Sequence, residues 1–316
     1  MEATYKKEYG IVVALDFLGV RNLEFNKALP EWLQKRDFII KGLIKKNQEE
    51  EIKFKKNCLE IYMSLNNTDA VPEAESRKYV LPERKIHTFQ DNVVISFASE
   101  HVKDHPESIV YIRTILMIAF KSCLENGLMV RGAVSIGNFI HVPKSTTLVG
   151  PAVNEVMDFC EITDWAGVIF CPSCTEVIEN LFKRNVIGVP RADLLTKRYM
   201  AMKNSFVKYQ VPISEKTQSI LKIKGVSCPD ELYCLGWPYE FQDDEFKKFE
   251  IRFKRERNIR KNTSMMTGPT LKTIKKHLEA INRDRSKPSV ENKYINTYAF
   301  AETILNKKYQ IARFKS

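Results

Sequence analysis

No stretch of the 316-residue sequence approaches the ~18 uninterrupted apolar residues that a membrane-spanning helix needs. The opening segment, Met1 to Tyr9, lacks the apolar stretch of a secretory signal, so a cytoplasmic protein without membrane attachment is expected. The 7 cysteines are odd in number and scattered, unlike the dense framework of a small secreted domain, and reduced thiols are expected. Internal repeats and low-complexity tracts are missing as well, so nothing points to a repeat architecture. What the chain does have is 44% apolar residues, enough for a substantial core, which excludes a disordered or fibrous protein. Its 50 Lys and Arg against 39 Asp and Glu leave a formal net charge of +11. That surplus favours an anionic partner without choosing among nucleotide, nucleic acid and lipid head group.

The run Gly10 to Leu15, rich in β-branched residues and without polar alternation, predicts a central strand covered on both faces and ending at Asp16. From Leu29 to about Leu65, apolar residues at helical spacing predict one long helix or two, followed by a solvated loop over 66–83. A hairpin is predicted from Arg84 to Phe89 and Val93 to Phe97, around the polar corner Gln90-Asp91-Asn92 with Asp91 at its tip. Next come a helix from about Pro106 to Glu125 stopped by Asn126-Gly127, a strand over Leu128 to Ile136, and a helix opening at Gly150-Pro151. Gly167 to Phe170 reads as a strand and Thr175 to Phe182 as a short helix, while Phe206 to Ile213, Ile220 to Val226 and Glu231 to Leu235 are further strand candidates. Beyond Gln242 the text changes: Lys247 to Lys261 is strongly basic, and Leu271 to Ile281 and Val290 to Leu305 are helical. The expectation is therefore an α/β (α+β) sandwich with a mixed sheet and helices on one face over residues 6–240, and a basic, mostly helical C-terminal extension over 241–316.

Two acidic residues stand apart. Asp16 and Asp91 each sit at a strand end or hairpin tip between apolar residues that fold inward, where a carboxylate is costly unless a cation or donor meets it. Taken singly, either reads as a turn residue with a solvated side chain. Taken together, two hard oxygen ligands are what Mg²⁺ or Mn²⁺ accepts while it holds a triphosphate. After Asp16, the stretch Phe17-Leu18-Gly19-Val20-Arg21 places a glycine in a strand-to-helix turn. Its N–H groups can cradle phosphate with Arg21 as a charged contact, although Gly19 alone is equally an ordinary turn residue.

Other motifs carry a bland reading beside the sharp one. Cys171-Pro172-Ser173-Cys174 lies between a strand and a helix as a redox pair would, but no strand order of that fold surrounds it, and Cys228 and Cys234 are spaced too widely to complete a usual zinc site. Buried, inert thiols are expected. His101 and His105 are four residues apart, yet Pro106 pushes His105 from helical geometry, and surface histidines are expected. Lys247 to Arg257 interleaves Phe249 and Phe253 with charge, as nucleic-acid binders do and as amphipathic segments with one solvated face also do.

The succession Val13-Ala14-Leu15-Asp16-Phe17-Leu18-Gly19, Phe89-Gln90-Asp91-Asn92-Val93-Val94, Val130-Arg131-Gly132-Ala133-Val134-Ser135-Ile136-Gly137 and Gly150-Pro151-Ala152-Val153-Asn154 resembles the class III nucleotidyl cyclase homology domain over roughly residues 9–180. With Leu235-Gly236-Trp237-Pro238 and Lys293-Tyr294-Ile295-Asn296-Thr297 it is most similar to the pyrimidine cyclases of bacterial Pycsar anti-phage systems. The resemblance implies a homodimer acting on a nucleoside triphosphate, with sites at the subunit interface. It implies two divalent cations per site, Mn²⁺ or Mg²⁺, held by Asp16, Asp91 and the Phe17 carbonyl, with residues 18–21 over the phosphates. It implies a 3′,5′-cyclic product, UTP preferred to CTP as substrate, read by a downstream effector in anti-phage defence. Asn154 matches the family's transition-state asparagine, whereas Asp158 stands where the family has an arginine. Arg131 is then a substitute for that arginine or a structural ion-pair partner. The second function class is a cyclase-fold protein without catalysis that binds nucleic acid through its basic tail. Retention of both carboxylates favours the enzyme.

Overall fold

The computed structural model describes residues 5–19, 28–41, 68–73, 84–102, 107–142, 147–183, 205–213, 217–219, 230–239, 241, 267–281 and 288–313, together with positions 52, 56, 59 and 63. Strands β1 (Lys6–Leu18), β2 (Arg84–Phe89), β3 (Asn92–Ala98), β4 (Met129–His141), β5 (Leu148–Val149), β6 (Val168–Phe170), β7 (Phe206–Tyr209) and β8 (Leu232–Leu235) form one 8-stranded sheet. Its order is β2-β3-β1-β4-β6-β8-β7, with β5 beside β4. The helices are α1 (28–41), α2 (Glu107–Glu125), α3 (Pro151–Ile162), α4 (Thr175–Lys183), α5 (Thr267–Ala280) and α6 (Pro288–Arg313). Among the described residues, only β4 and β6 pair in parallel, and between them the chain crosses over through α3, the kind of connection a parallel pair requires. The mixed sheet with helices expected from the sequence is the observed architecture.

Several boundaries move. The first strand does not end at Asp16 but continues to Leu18, because Asp16 keeps ladder partners on both sides, Asn92 of β3 and Arg131 of β4. The fourth strand runs past Ile136 to His141, matched residue for residue by β1 down to Lys6. The hairpin corner holds two residues, Gln90 and Asp91, and Asn92 already belongs to β3. The strand expected from Phe206 to Ile213 stops at Tyr209, and Ile213 makes an isolated bridge to Thr163. The candidate strand Ile220 to Val226, the basic stretch from Lys247 to Lys261 and nearly all of the helical region after residue 41 lie outside the described residues.

Pairing fixes which side chains share a face. Asp16, Asn92 and Arg131 lie on one face together with Val12, Ser96 and Ser135. Ile11, Val13, Leu15 and Phe17 project from the other face, where Phe17 meets Trp32 of α1 edge-on at 5.9 Å. Helix α3 lies across the Asp16 face: Ser135 Oγ donates to the Ala152 carbonyl at 2.6 Å and Ala152 packs over Gly137. Helices therefore flank both faces, not one. This explains why residues 11–15 read as an unbroken apolar run, since neither side of the strand meets water.

The segment beyond residue 240 contributes to the same core. Phe300, Ala301, Ile304 and Leu305 of α6 are fully buried, and Phe300 packs edge-on against Trp165 at 4.5 Å. Two residues of the Lys293–Thr297 stretch fasten α6 to the loop after α3. Asn296 Nδ2 donates to the Asp164 carbonyl at 2.8 Å, and the Thr297 hydroxyl accepts from the Ala166 N–H at 2.8 Å.

Candidate functional site

Asp16 is 9% exposed, a placement that a carboxylate tolerates only with donors or a cation beside it. Arg131 meets that need. Its Nε donates to Asp16 Oδ2 at 2.7 Å, and its Nη1 donates to the carbonyls of Glu161 and Thr163 at 2.9 and 3.0 Å, where α3 ends. A helix C-terminus presents carbonyls that have no partner within the helix, so a guanidinium is well placed there. Of the two readings of Arg131, the geometry realises the ion pair with Asp16.

Asp91 is held through its backbone. Its carbonyl accepts from the Phe17 N–H at 3.0 Å, which ties the hairpin tip to the residue following Asp16. Its Oδ1 accepts from Asn92 Nδ2 at 3.3 Å. Gln90, just before it, adopts φ 51, a left-handed backbone that non-glycine residues rarely take. Arg36 of α1 holds this turn by donating Nη1 to the Gln90 carbonyl at 2.6 Å. Arg36 is itself oriented by Asp37 Oδ1 and by the Trp32 ring, 5.3 Å away. Sequence reasoning missed Arg36, because one arginine in a charged amphipathic helix carries no local signal of a contact with residue 90.

Gly19 follows β1 with φ 92, a backbone conformation that favours glycine, and the stretch from there to α1 lies outside the described residues. Leu18 is half-buried at the strand end, and Val20 and Arg21 lie outside the described residues. Asn154 is exposed in the first turns of α3, after Gly150 at φ 141, whose carbonyl accepts the Asn154 N–H at 3.0 Å. A Cβ on Gly150 would lie 2.7 Å from the Phe139 Cα, so this junction is closed to other residues. Arg131 and Asp16 lie at the other end of α3. From Asn154 to Glu161 is about 10 Å along the helix axis at ~1.5 Å per residue. The chain brings Asp16, Asp91 and Arg131 together and leaves Asn154 apart.

The donor set suits a hard cation that brings its own water and phosphate ligands, the usual situation of Mg²⁺. Asp16 and Asp91 offer carboxylate oxygens, and among the described residues there is no group of three or more His, Cys, Asp and Glu that would form an all-protein cage. Beside Arg131, on the α6 side, opens a cavity of about 370 Å³ lined by Glu161, Asp164, Ser289, Asn292 and Lys293 among others.

The cysteine motif is built into the core. Cys171 and Cys174 are fully buried, and burial pushes both thiols well above their ordinary range, opposite to what a redox pair needs. Cys174 Sγ donates to the Val134 carbonyl at 3.2 Å, so the segment between β6 and α4 is tied to β4. Cys234 is buried in β8, whereas Cys228 and His105 lie outside the described residues.

No family model matches the sequence, and no curated protein matches it. Among solved structures, the chain is similar to the catalytic core of a rhodopsin-guanylyl cyclase with converted specificity in complex with ATPαS, at 13% identity and TM-score 0.39, over 73% of this chain and 97% of that one. It is similar also to the guanylyl cyclase Cya2, at 13% identity and TM-score 0.33, over 74% of this chain and 94% of that one.

Proposed function

We propose that the protein is a metal-dependent pyrimidine nucleotide cyclase that converts UTP, and less readily CTP, to the 3′,5′-cyclic monophosphate and pyrophosphate. The observation that carries this reading is the Phe17 N–H to Asp91 carbonyl bond at 3.0 Å, which fixes the second acidic residue beside the first at the end of two paired strands. Asp16, Asp91 and the Phe17 carbonyl are the groups to hold two divalent cations, Mn²⁺ or Mg²⁺. Bound there, the cations supply activation of the ribose 3′-hydroxyl and neutralisation of charge on the departing pyrophosphate. Leu18, Gly19, Val20 and Arg21 cover the phosphates, with Gly19 leaving the backbone free to approach them.

The distance of Asn154 from the two carboxylates supports a homodimer in which the Asn154 end of one copy completes the carboxylate end of the other. The cyclic product then serves a separate effector in anti-phage defence. Incubating the purified protein with equimolar ATP, GTP, CTP and UTP and Mn²⁺, then identifying products by mass, tests this reading. Predominantly cUMP is expected. Mainly cAMP or cGMP refutes the pyrimidine assignment, and no cyclic product refutes the enzyme.

A further inference from the structure

We infer that Arg131 is a positioning residue that fixes the Asp16 carboxylate for the cation, and is not the replacement for the transition-state arginine missing at Asp158. The inference rests on the proposed cation site.

Three of the five N–H donors of Arg131 are committed, and together they fix the plane of its guanidinium. Nε is given to Asp16 Oδ2, and Nη1 is shared between the carbonyls of Glu161 and Thr163. Its side chain is 16% exposed and that of Asp16 is 12% exposed, so neither is free to swing into solvent. Reaching a phosphate would leave two helix-end carbonyls and a buried carboxylate oxygen without their donor, at a cost no single new contact offsets. Held in place, the same arginine does something useful. A carboxylate has two oxygens, and with Oδ2 taken the other is left for a cation, in one orientation. Partners that orient a metal-binding carboxylate typically change metal affinity or activity by ~10- to 100-fold when removed. The planar fork matters here, since a single ammonium cannot span one carboxylate and two carbonyls with the same geometry.

The test is direct Mn²⁺ binding to the full chain without nucleotide, followed by electron paramagnetic resonance, for wild type, Arg131→Lys and Arg131→Gln. Cyclase kinetics at saturating Mn²⁺ run alongside. Arg131→Gln is expected to weaken Mn²⁺ binding about 10-fold or more, with Arg131→Lys in between and kcat at saturating Mn²⁺ falling less than the affinity. Unchanged Mn²⁺ binding with a collapsed kcat overturns the inference and returns Arg131 to the substrate. Tighter Mn²⁺ binding overturns it too, by making the guanidinium a competitor. Should Arg131→Gln not fold, Arg131→Lys decides, and wild-type affinity in that variant refutes positioning by the fork. Wild-type protein that binds no Mn²⁺ removes the cation site itself, a result distinct from a site that binds Mn²⁺ regardless of residue 131.

Discussion

Asp16 and Asp91 are neighbours held by opposite means. Asp16 sits within the ladder between two long strands, and its side chain is gripped by an arginine anchored on a helix end. Asp91 sits on a two-residue turn near the sheet edge, where the backbone is gripped through the Gln90 carbonyl and the Asp91 carbonyl and, among the described residues, the carboxylate meets its neighbour's amide. One seat is built by side-chain chemistry in the core and the other by loop geometry. Substitutions that are equivalent for catalysis should therefore differ for stability.

The largest expected effect is on turnover. Asp16→Ala and Asp91→Ala should each lower cyclisation by about 10³-fold or more, measured as product per minute with Mn²⁺ and UTP, because each removes a carboxylate from the proposed cation site. Thermal melting separates them. Asp16→Ala leaves Arg131 buried against carbonyls with no counter-charge and should cost about 3 kcal/mol, whereas Asp91→Ala should cost less than about 1 kcal/mol. Equal melting temperatures would contradict the contrast, and turnover near wild type in either variant would dispose of the cation assignment.

Next in size is Arg36→Ala. It removes a charged donor from the Gln90 carbonyl, a bond worth about 1.5 to 3 kcal/mol, and it touches the Asp91 seat directly and Asp16 not at all. Activity should fall by about 10-fold through a raised Mn²⁺ requirement, while Asp16 and its arginine stay as they are. If activity were unchanged, the hairpin turn would need no clamp and the Phe17 to Asp91 bond would be sufficient.

The sequence made both acids legible and hid the supports of their seats. The apolar run ending in an acid marked Asp16, and the alternating strands around a polar corner marked Asp91, because both signals are local in the chain. Arg131 was visible as a residue but not as a partner of Asp16, since the ion pair joins two strands 115 positions apart. Arg36 bridges 54 positions to residue 90 and left no trace in spacing. The strand ends were misplaced for a related reason. Asp16 is polar and reads as a terminus, yet a residue with hydrogen-bonded neighbours on both sides continues its strand whatever its side chain. The C-terminal helices were legible as helices, but their share in the core was not, because the periodicity of α6 does not say what Phe300 packs against.

The cysteines offer a smaller test, away from both seats. With their thiols pushed well above the ordinary range by burial, Cys171 and Cys174 should resist iodoacetamide at pH 8 in the folded protein and react only on unfolding. A Cys171→Ala/Cys174→Ala variant should keep most of its turnover while melting at a lower temperature. A reversible disulfide found by thiol trapping would contradict this account.

The smallest expected effect is the most specific to the Asp91 seat. Gln90 pays for its φ of 51 with backbone strain, which a side chain at that position cannot avoid and which glycine does not feel. Gln90→Gly should therefore relieve about 1 kcal/mol in the folded state and lose a similar amount by loosening the unfolded chain, leaving stability within about 1 kcal/mol of wild type. The clamp from Arg36 reaches the carbonyl of residue 90 and not its side chain, so the turn stays held and turnover should be retained. Chemical denaturation and initial rates read both quantities. A loss of stability well beyond that margin would mean that the Gln90 side chain itself supports the turn, and a loss of turnover without one would mean that the strain at residue 90 sets where Asp91 points.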